Sequence, residues 1–222
     1  MEQNSVYQSV SAGSSIEINK VLRNTYSLLA MTLLFSAVVA GVSMALNLPH
    51  PGLIFGLIGI YGLMFLVHKT ADSSMGLVST FAFTGFLGYT IGPMLNMVIG
   101  AGGGHLVVLA MGGTAAIFFA LSAYVLVTKK DMSFMGGMMF ALVIVALVAM
   151  VANWFLQIPA LSLAVSALFI MLSAGMILMQ TSSIIHGGER NYILATITLF
   201  VAIYNLFTSL LHILMAFAGG DD

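Results

Sequence analysis

The chain alternates long apolar stretches with short polar gaps. Seven stretches, at 25–46, 52–67, 75–97, 106–128, 134–156, 160–182 and 192–217, contain no Asp, Glu, Lys or Arg. Crossing ~30 Å of hydrocarbon takes about 20 helical residues, so each stretch predicts a transmembrane helix, the second being the shortest. The runs are long and do not alternate residue by residue, which favours helices over barrel strands. Turn signals separate them: Asn47-Leu48-Pro49-His50-Pro51, the glycines at 102–104, Lys129-Lys130-Asp131, Pro159 and Gly187-Gly188. Asp131 and Glu189 stand at or just before helix starts, where the positive dipole end favours an anion. Small residues recur at helical spacing, as Gly52, Gly56, Gly59 and Gly62, and as Gly85, Gly88 and Gly92. They let neighbouring backbones approach, either inside one bundle or between copies. Pro93 predicts a kink in the third span. No internal repeat is evident, so an inverted-repeat transporter gains no support.

The basic residues orient this pattern. Lys20 and Arg23 precede the first stretch, Lys69 follows the second, Lys129 and Lys130 follow the fourth, and Arg190 follows the sixth. The remaining gaps carry none. Cytoplasmic loops collect Lys and Arg. The expectation is an all-α membrane protein of seven transmembrane helices, with a cytoplasmic N-terminus and a periplasmic C-terminus. Short loops and this simple charge layout suit a bacterial inner membrane.

Composition agrees. Hydrophobic residues make up 60% of the 222 positions and charged residues 6%, against about a quarter charged in soluble domains. A net charge of -1 argues against nucleic acid. The chain has no cysteine, which excludes disulfides, thiolate metal sites and a cysteine nucleophile. The first 19 residues are polar and lack the layout of a cleaved signal peptide. Two parts are expected: a flexible polar cytoplasmic tail over 1–22 and a single transmembrane domain over 23–222.

Candidate chemistry is sparse. His212 is the one titratable group of its kind well inside a span, and Asn205 and Ser209 precede it at helical spacing. That face reads either as a water or proton path or as hydrogen bonding between packed helices. A second polar cluster ends the sixth stretch: Gln180, Thr181, Ser182 and Ser183, then His186, Glu189 and Arg190. A serine with His186 suggests a nucleophile and base, but no third group orients the base and no oxyanion donors are evident. There is no H-E-x-x-H and no close histidine pair, and no aspartate pair lies within the spans. No catalytic residue, metal site or cofactor is expected. The 17 Met residues read as adaptable packing.

Several segments together carry a resemblance: Val21-Leu22-Arg23-Asn24-Thr25-Tyr26, the third-span run from Thr84 through Gly92-Pro93 to Asn96, Lys130-Asp131-Met132-Ser133-Phe134, and Ile184-Ile185-His186-Gly187-Gly188-Glu189-Arg190-Asn191-Tyr192. The chain resembles the Bax inhibitor-1 family, nearest its bacterial YccA branch, over nearly all of its length after the tail. The resemblance implies seven helices with the last one buried among the other six. It implies binding to the membrane AAA protease FtsH and its associated membrane proteins, and inhibition that protects substrates such as the translocon subunit SecY. His186, Glu189 and Arg190 are then candidates for the cytoplasmic interface. Other members act as pH-sensitive calcium leaks and carry an aspartate in each of the last two helices. Here the matching positions hold Gln180 and Ala202, so the charge-neutralising pair is missing. A cation or proton leak through Gln180, Asn205, Ser209 and His212 remains the alternative.

Overall fold

Lipid offers no hydrogen-bond partners, so an apolar stretch that enters it must satisfy its own backbone, and a helix does so within one segment. The computed structural model describes the backbone of residues 2–219 and the side chains of residues 16–219. It contains α1 (Glu2–Ala45), α2 (Gly52–Thr70), α3 (Met75–Gly100), α4 (Gly104–Thr128), α5 (Gly136–Leu156), α6 (Pro159–Ile185) and α7 (Tyr192–Ala218), with one 3-10 turn at Ser133–Met135 before α5. All seven are long and apolar enough to cross a membrane, and no strand occurs among the described residues.

Local chemistry sets the ends. Pro159 occupies the first turn of α6, where a missing N–H costs nothing. Lys129 and Gln157 take left-handed φ of 51° and close α4 and α5 by donating their N–H to Val125 and Asn153 carbonyls. Helix α3 runs unbroken through Pro93.

One boundary differs from the sequence reading. The tail expected over 1–22 is helical from Glu2, and its last part already belongs to the bundle. Val21 is buried against Ile184 and Ala195. Ile18, Val21 and Leu22 recur at helical spacing and extend the apolar face of α1 beyond its charge-free stretch.

Helices α1 and α3 meet through small residues. A Cβ on Gly85 would strike the Phe35 ring, one on Gly88 the Ser36 carbonyl, and one on Gly92 the Ser43 side chain. Ser43 Oγ uses the close approach to donate to the Tyr89 carbonyl at 3.2 Å. The second glycine series behaves differently. Gly59 packs on Phe86, while Gly56 and Gly62 have open space.

Helix α7 packs against α1, α2, α3, α4 and α6. Buried positions fill 56% of its spanning window, against 11% for α2 and for α5. Phe200, Ile197, Leu199 and Leu206 join Leu28, Leu29, Phe83 and Ile177 in the main core. Among the described residues, helix α5 packs on α6 and the 3-10 turn alone. No Cα of α4 lies within 8 Å of α1 among the described residues. The slot between them is floored by α7, has a volume of about 530 Å³, and is lined by apolar groups such as Leu33, Ala37, Met111, Phe118, Phe200 and Phe207.

Candidate functional site

The alternative reading grouped Gln180, Asn205, Ser209 and His212 as a polar core or ion path. The structure divides them. His212 faces two serines of α6: its Nδ1 is 2.9 Å from Ser166 Oγ and its Nε2 3.4 Å from Ser162 Oγ. Ser166 in turn donates to the Ser162 carbonyl at 3.1 Å. His212 therefore clamps α7 to α6. Ser209 is buried one turn away, and Asn205 is half-buried a turn further on. Gln180 lies ~21 Å farther along α6 than Ser166, counting ~1.5 Å per residue. These groups sit at two depths. The partners of His212 were missed from sequence, although Ser162 and Ser166 stand one turn apart as a polar pair in an apolar helix.

At the depth of Gln180 lies a layer of hydroxyls. Thr196 Oγ1 donates to the Thr25 carbonyl at 3.2 Å, joining α7 to α1. Tyr26 Oη is 3.4 Å from Thr181 Oγ1, joining α1 to α6. Three side-chain atoms here are buried without a protein partner among the described residues: Thr25 Oγ1, Ser122 Oγ and Gln180 Nε2. Ala202 is fully buried and apolar.

A third group closes the end of α6 where its polar cluster begins. Ser182 is buried, accepts the Met132 N–H at 3.0 Å and approaches the Lys130 carbonyl at 3.3 Å. His186 Nδ1 lies 2.9 Å from the Ser182 carbonyl and 3.3 Å from Ser182 Oγ, and its Nε2 lies 3.1 Å from the Lys129 carbonyl. Both residues are thus tied to the α4–α5 loop. Ser182 Oγ is occupied with that loop, so the Ser–His pair reads as a structural staple. Asp131, on the same loop, accepts from the Ser133 N–H at 2.8 Å. Its carboxyl is held below the usual range by the Ser133 backbone and side-chain hydrogen bonds, then by His186 nearby.

The fourth group is a knot at the start of α7. Asn191 Oδ1 caps the helix by accepting from the Ile193 and Leu194 N–H groups at 2.9 and 3.2 Å. Its Nδ2 donates to Asp72 Oδ1 at 2.8 Å and to the Ala71 carbonyl at 3.2 Å, tying the α6–α7 and α2–α3 loops together. Glu189 Oε1 accepts the Asn191 N–H at 2.8 Å, which places this candidate interface residue inside the knot. Arg190 is exposed, with its Nε 3.4 Å from the Gly187 carbonyl. A shallow pocket of about 490 Å³ opens beside it, lined by Asp72, Ser73, Ser74, Arg190, Asn191 and Tyr192. The sequence signal for the knot was an Asn directly before an apolar run, the common start of a helix. Among the described residues no three His, Asp or Glu side chains converge as metal ligands would.

The sites lie in a chain whose relatives are clear. The profile described as Bax1-I, inhibitor of apoptosis-promoting Bax1, matches residues 18–219. The chain is 59% identical over 208 residues to the modulator of FtsH protease YccA of Escherichia coli K12, covering 94% of each protein. It is 61% identical over 191 residues to a protein of Pasteurella multocida, covering 86% of this chain and 87% of the relative. It is 58% identical over 207 residues to a protein of Pseudomonas aeruginosa, covering 93% of each.

Proposed function

The chain belongs to the Bax inhibitor-1 family, and on that premise we propose that it binds and restrains an FtsH-type membrane protease without chemistry of its own. The near full-length identity to the Escherichia coli modulator of that protease carries the reading. The chain is a multi-pass protein of the inner membrane. The basic residues set its orientation in this reading, with the N-terminus in the cytoplasm, the C-terminus in the periplasm and α7 at the centre of the bundle. The loops that carry Asp72, Asp131, His186, Glu189 and Arg190 then face the protease.

Restraint follows from unequal resistance along the chain. The first fifteen or so residues of α1 are polar, and an isolated helix of about 12–15 residues is marginal in water. Extended, some 19 residues reach ~60 Å, far enough for a protease motor to grip them. Beyond them the motor meets α1 locked to α3 through the glycine contacts and to α7 through Thr196. The protein engages the protease, is degraded slowly, and leaves membrane substrates such as SecY intact.

Deleting residues 3–15 should lengthen the protein's half-life in cells with active protease and preserve the restraint. An unchanged half-life would remove the handle. Failure to co-purify with the protease from detergent would remove the wider reading.

A further inference from the structure

The ring of His186 is placed between two acceptors. Nδ1 faces the Ser182 carbonyl at 2.9 Å and Nε2 faces the Lys129 carbonyl at 3.1 Å. A neutral imidazole carries one N–H and one lone pair, whereas the charged ring carries two N–H donors. Only the charged ring donates to both carbonyls. We infer that His186 and Ser182 form a proton-operated latch: with the ring doubly protonated, the Ser182 hydroxyl as well as Nε2 holds the α4–α5 loop to the end of α6, and loss of one proton turns that hydroxyl toward the ring and loosens the loop and the leading end of α5.

The proton has a defined path. On deprotonation, Nδ1 releases its proton to solvent and becomes an acceptor. The Ser182 hydroxyl, 3.3 Å from both Nδ1 and the Lys130 carbonyl, then turns from the carbonyl to the ring. The loop loses the hydroxyl's bond to Lys130, and α6 loses the ring's bond to the Ser182 carbonyl. Nε2–H keeps the Lys129 carbonyl. The loop matters to α5 because, among the described residues, α5 packs on no helix except α6. Its other tether is the 3-10 turn that this loop leads into.

Charged groups come from three neighbouring segments. Asp131 lies on the same loop, and His186 is one of the groups that hold its carboxyl low. Lys130 points its ammonium at the Tyr124 ring, 5.8 Å from the centroid, and Lys129 takes part through its carbonyl. Glu189 and Arg190 follow on the α6–α7 loop, both engaged with backbone. Glu17, Lys20 and Arg23 are the charges on the adjoining part of α1. Histidine side chains in general change charge between pH ~5 and 8, which is the interval to test. The latch stands whether or not a protease binds this face.

Because the chain lacks cysteine, spin labels can be placed at will. Phe65→Cys on α2 and Phe134→Cys in the 3-10 turn are both exposed. In the full chain in nanodiscs, the distance distribution between the labels should be narrow at pH ~6 and broader at pH ~8. Amide exchange at Met132, corrected for its chemical rate, should quicken about tenfold over the same interval. Adding His186→Gln should make both readouts independent of pH. Readouts from the wild-type latch that do not change with pH would overturn the inference even if the variant failed to fold. So would a pH response that survives His186→Gln.

Discussion

Helices α7 and α5 both span the membrane and are both free of formal charge, yet one is over half buried and the other is mostly exposed, with 56% against 11% of the spanning window buried. Apolar character does not separate them as it would in water. The most apolar span is α5, and α3, the least apolar, is the second most buried. In a soluble protein the inside is the oily part. Here oil is outside, and the inside is marked by glycine, serine and threonine: Gly85, Gly88 and Gly92, Thr80 and Thr84, Thr181 and Ser182, Thr196 and Ser209. Lipid tails already satisfy a leucine, so helices associate where small residues permit contact and hydroxyls find partners.

The largest test of this contrast is steric. Gly88→Val puts a branched side chain against the Ser36 backbone, which cannot swing aside. We expect a loss of about 1–3 kcal/mol or more, read as a fall in thermal midpoint in detergent of ~2–4 °C per kcal/mol. An unshifted midpoint would mean that α1 and α3 do not meet as described.

His212→Leu should come next. It removes the two contacts to Ser162 and Ser166 while keeping an apolar side chain. Interhelical hydrogen bonds in membranes average ~0.6 kcal/mol, with values up to ~1.7, so the expected loss lies in that range. A Ser166→Ala, His212→Leu double variant should lose less than the two single losses added together. Strict additivity would show that the clamp is not shared.

Asp131 offers a smaller effect, set by pH. Its folded pKa is lowered. Its contribution is therefore present above the ordinary carboxylate value of ~3.9 and fades as pH falls toward the lower folded value. Asp131→Ala should lower the midpoint slightly at neutral pH and converge with the wild type in strong acid. A gap that widens on acidification would reverse the sign of this account. The smallest effect belongs to α5. Gly137 is exposed, with open space where a Cβ would stand, so Gly137→Ala should be neutral or stabilising by up to ~1 kcal/mol through helix propensity. A clear loss there would mean that α5 has a partner.

The seven helices were legible because charge-free runs of spanning length leave few other folds. Interior glycines on α3 were legible as contact points, and the staple around Ser182 was visible as a polar cluster without its purpose. What escaped was pairing. Nothing in the order of residues says that Gly88 meets Ser36 rather than another helix, or that the four glycines of α2 yield one clear close contact, at Gly59. The two depths of the polar positions were hidden for the same reason. Gln180 and His212 share a chemical character and lie on adjacent helices, but an antiparallel pair brings His212 level with Ser166 rather than with Gln180. The helical reach of α1 into its polar start was hidden by composition, since Ile18 and Val21 are spaced among polar neighbours.

The bond between Thr196 and the Thr25 carbonyl joins partners 171 positions apart. The ribosome makes α7 last, so throughout synthesis α1, α4 and α6 stand in the bilayer without the helix they lean on. Assembly of this protein is consequently a late event: a chain without α7 leaves α1, α2, α3, α4 and α6 without the one helix that touches all five.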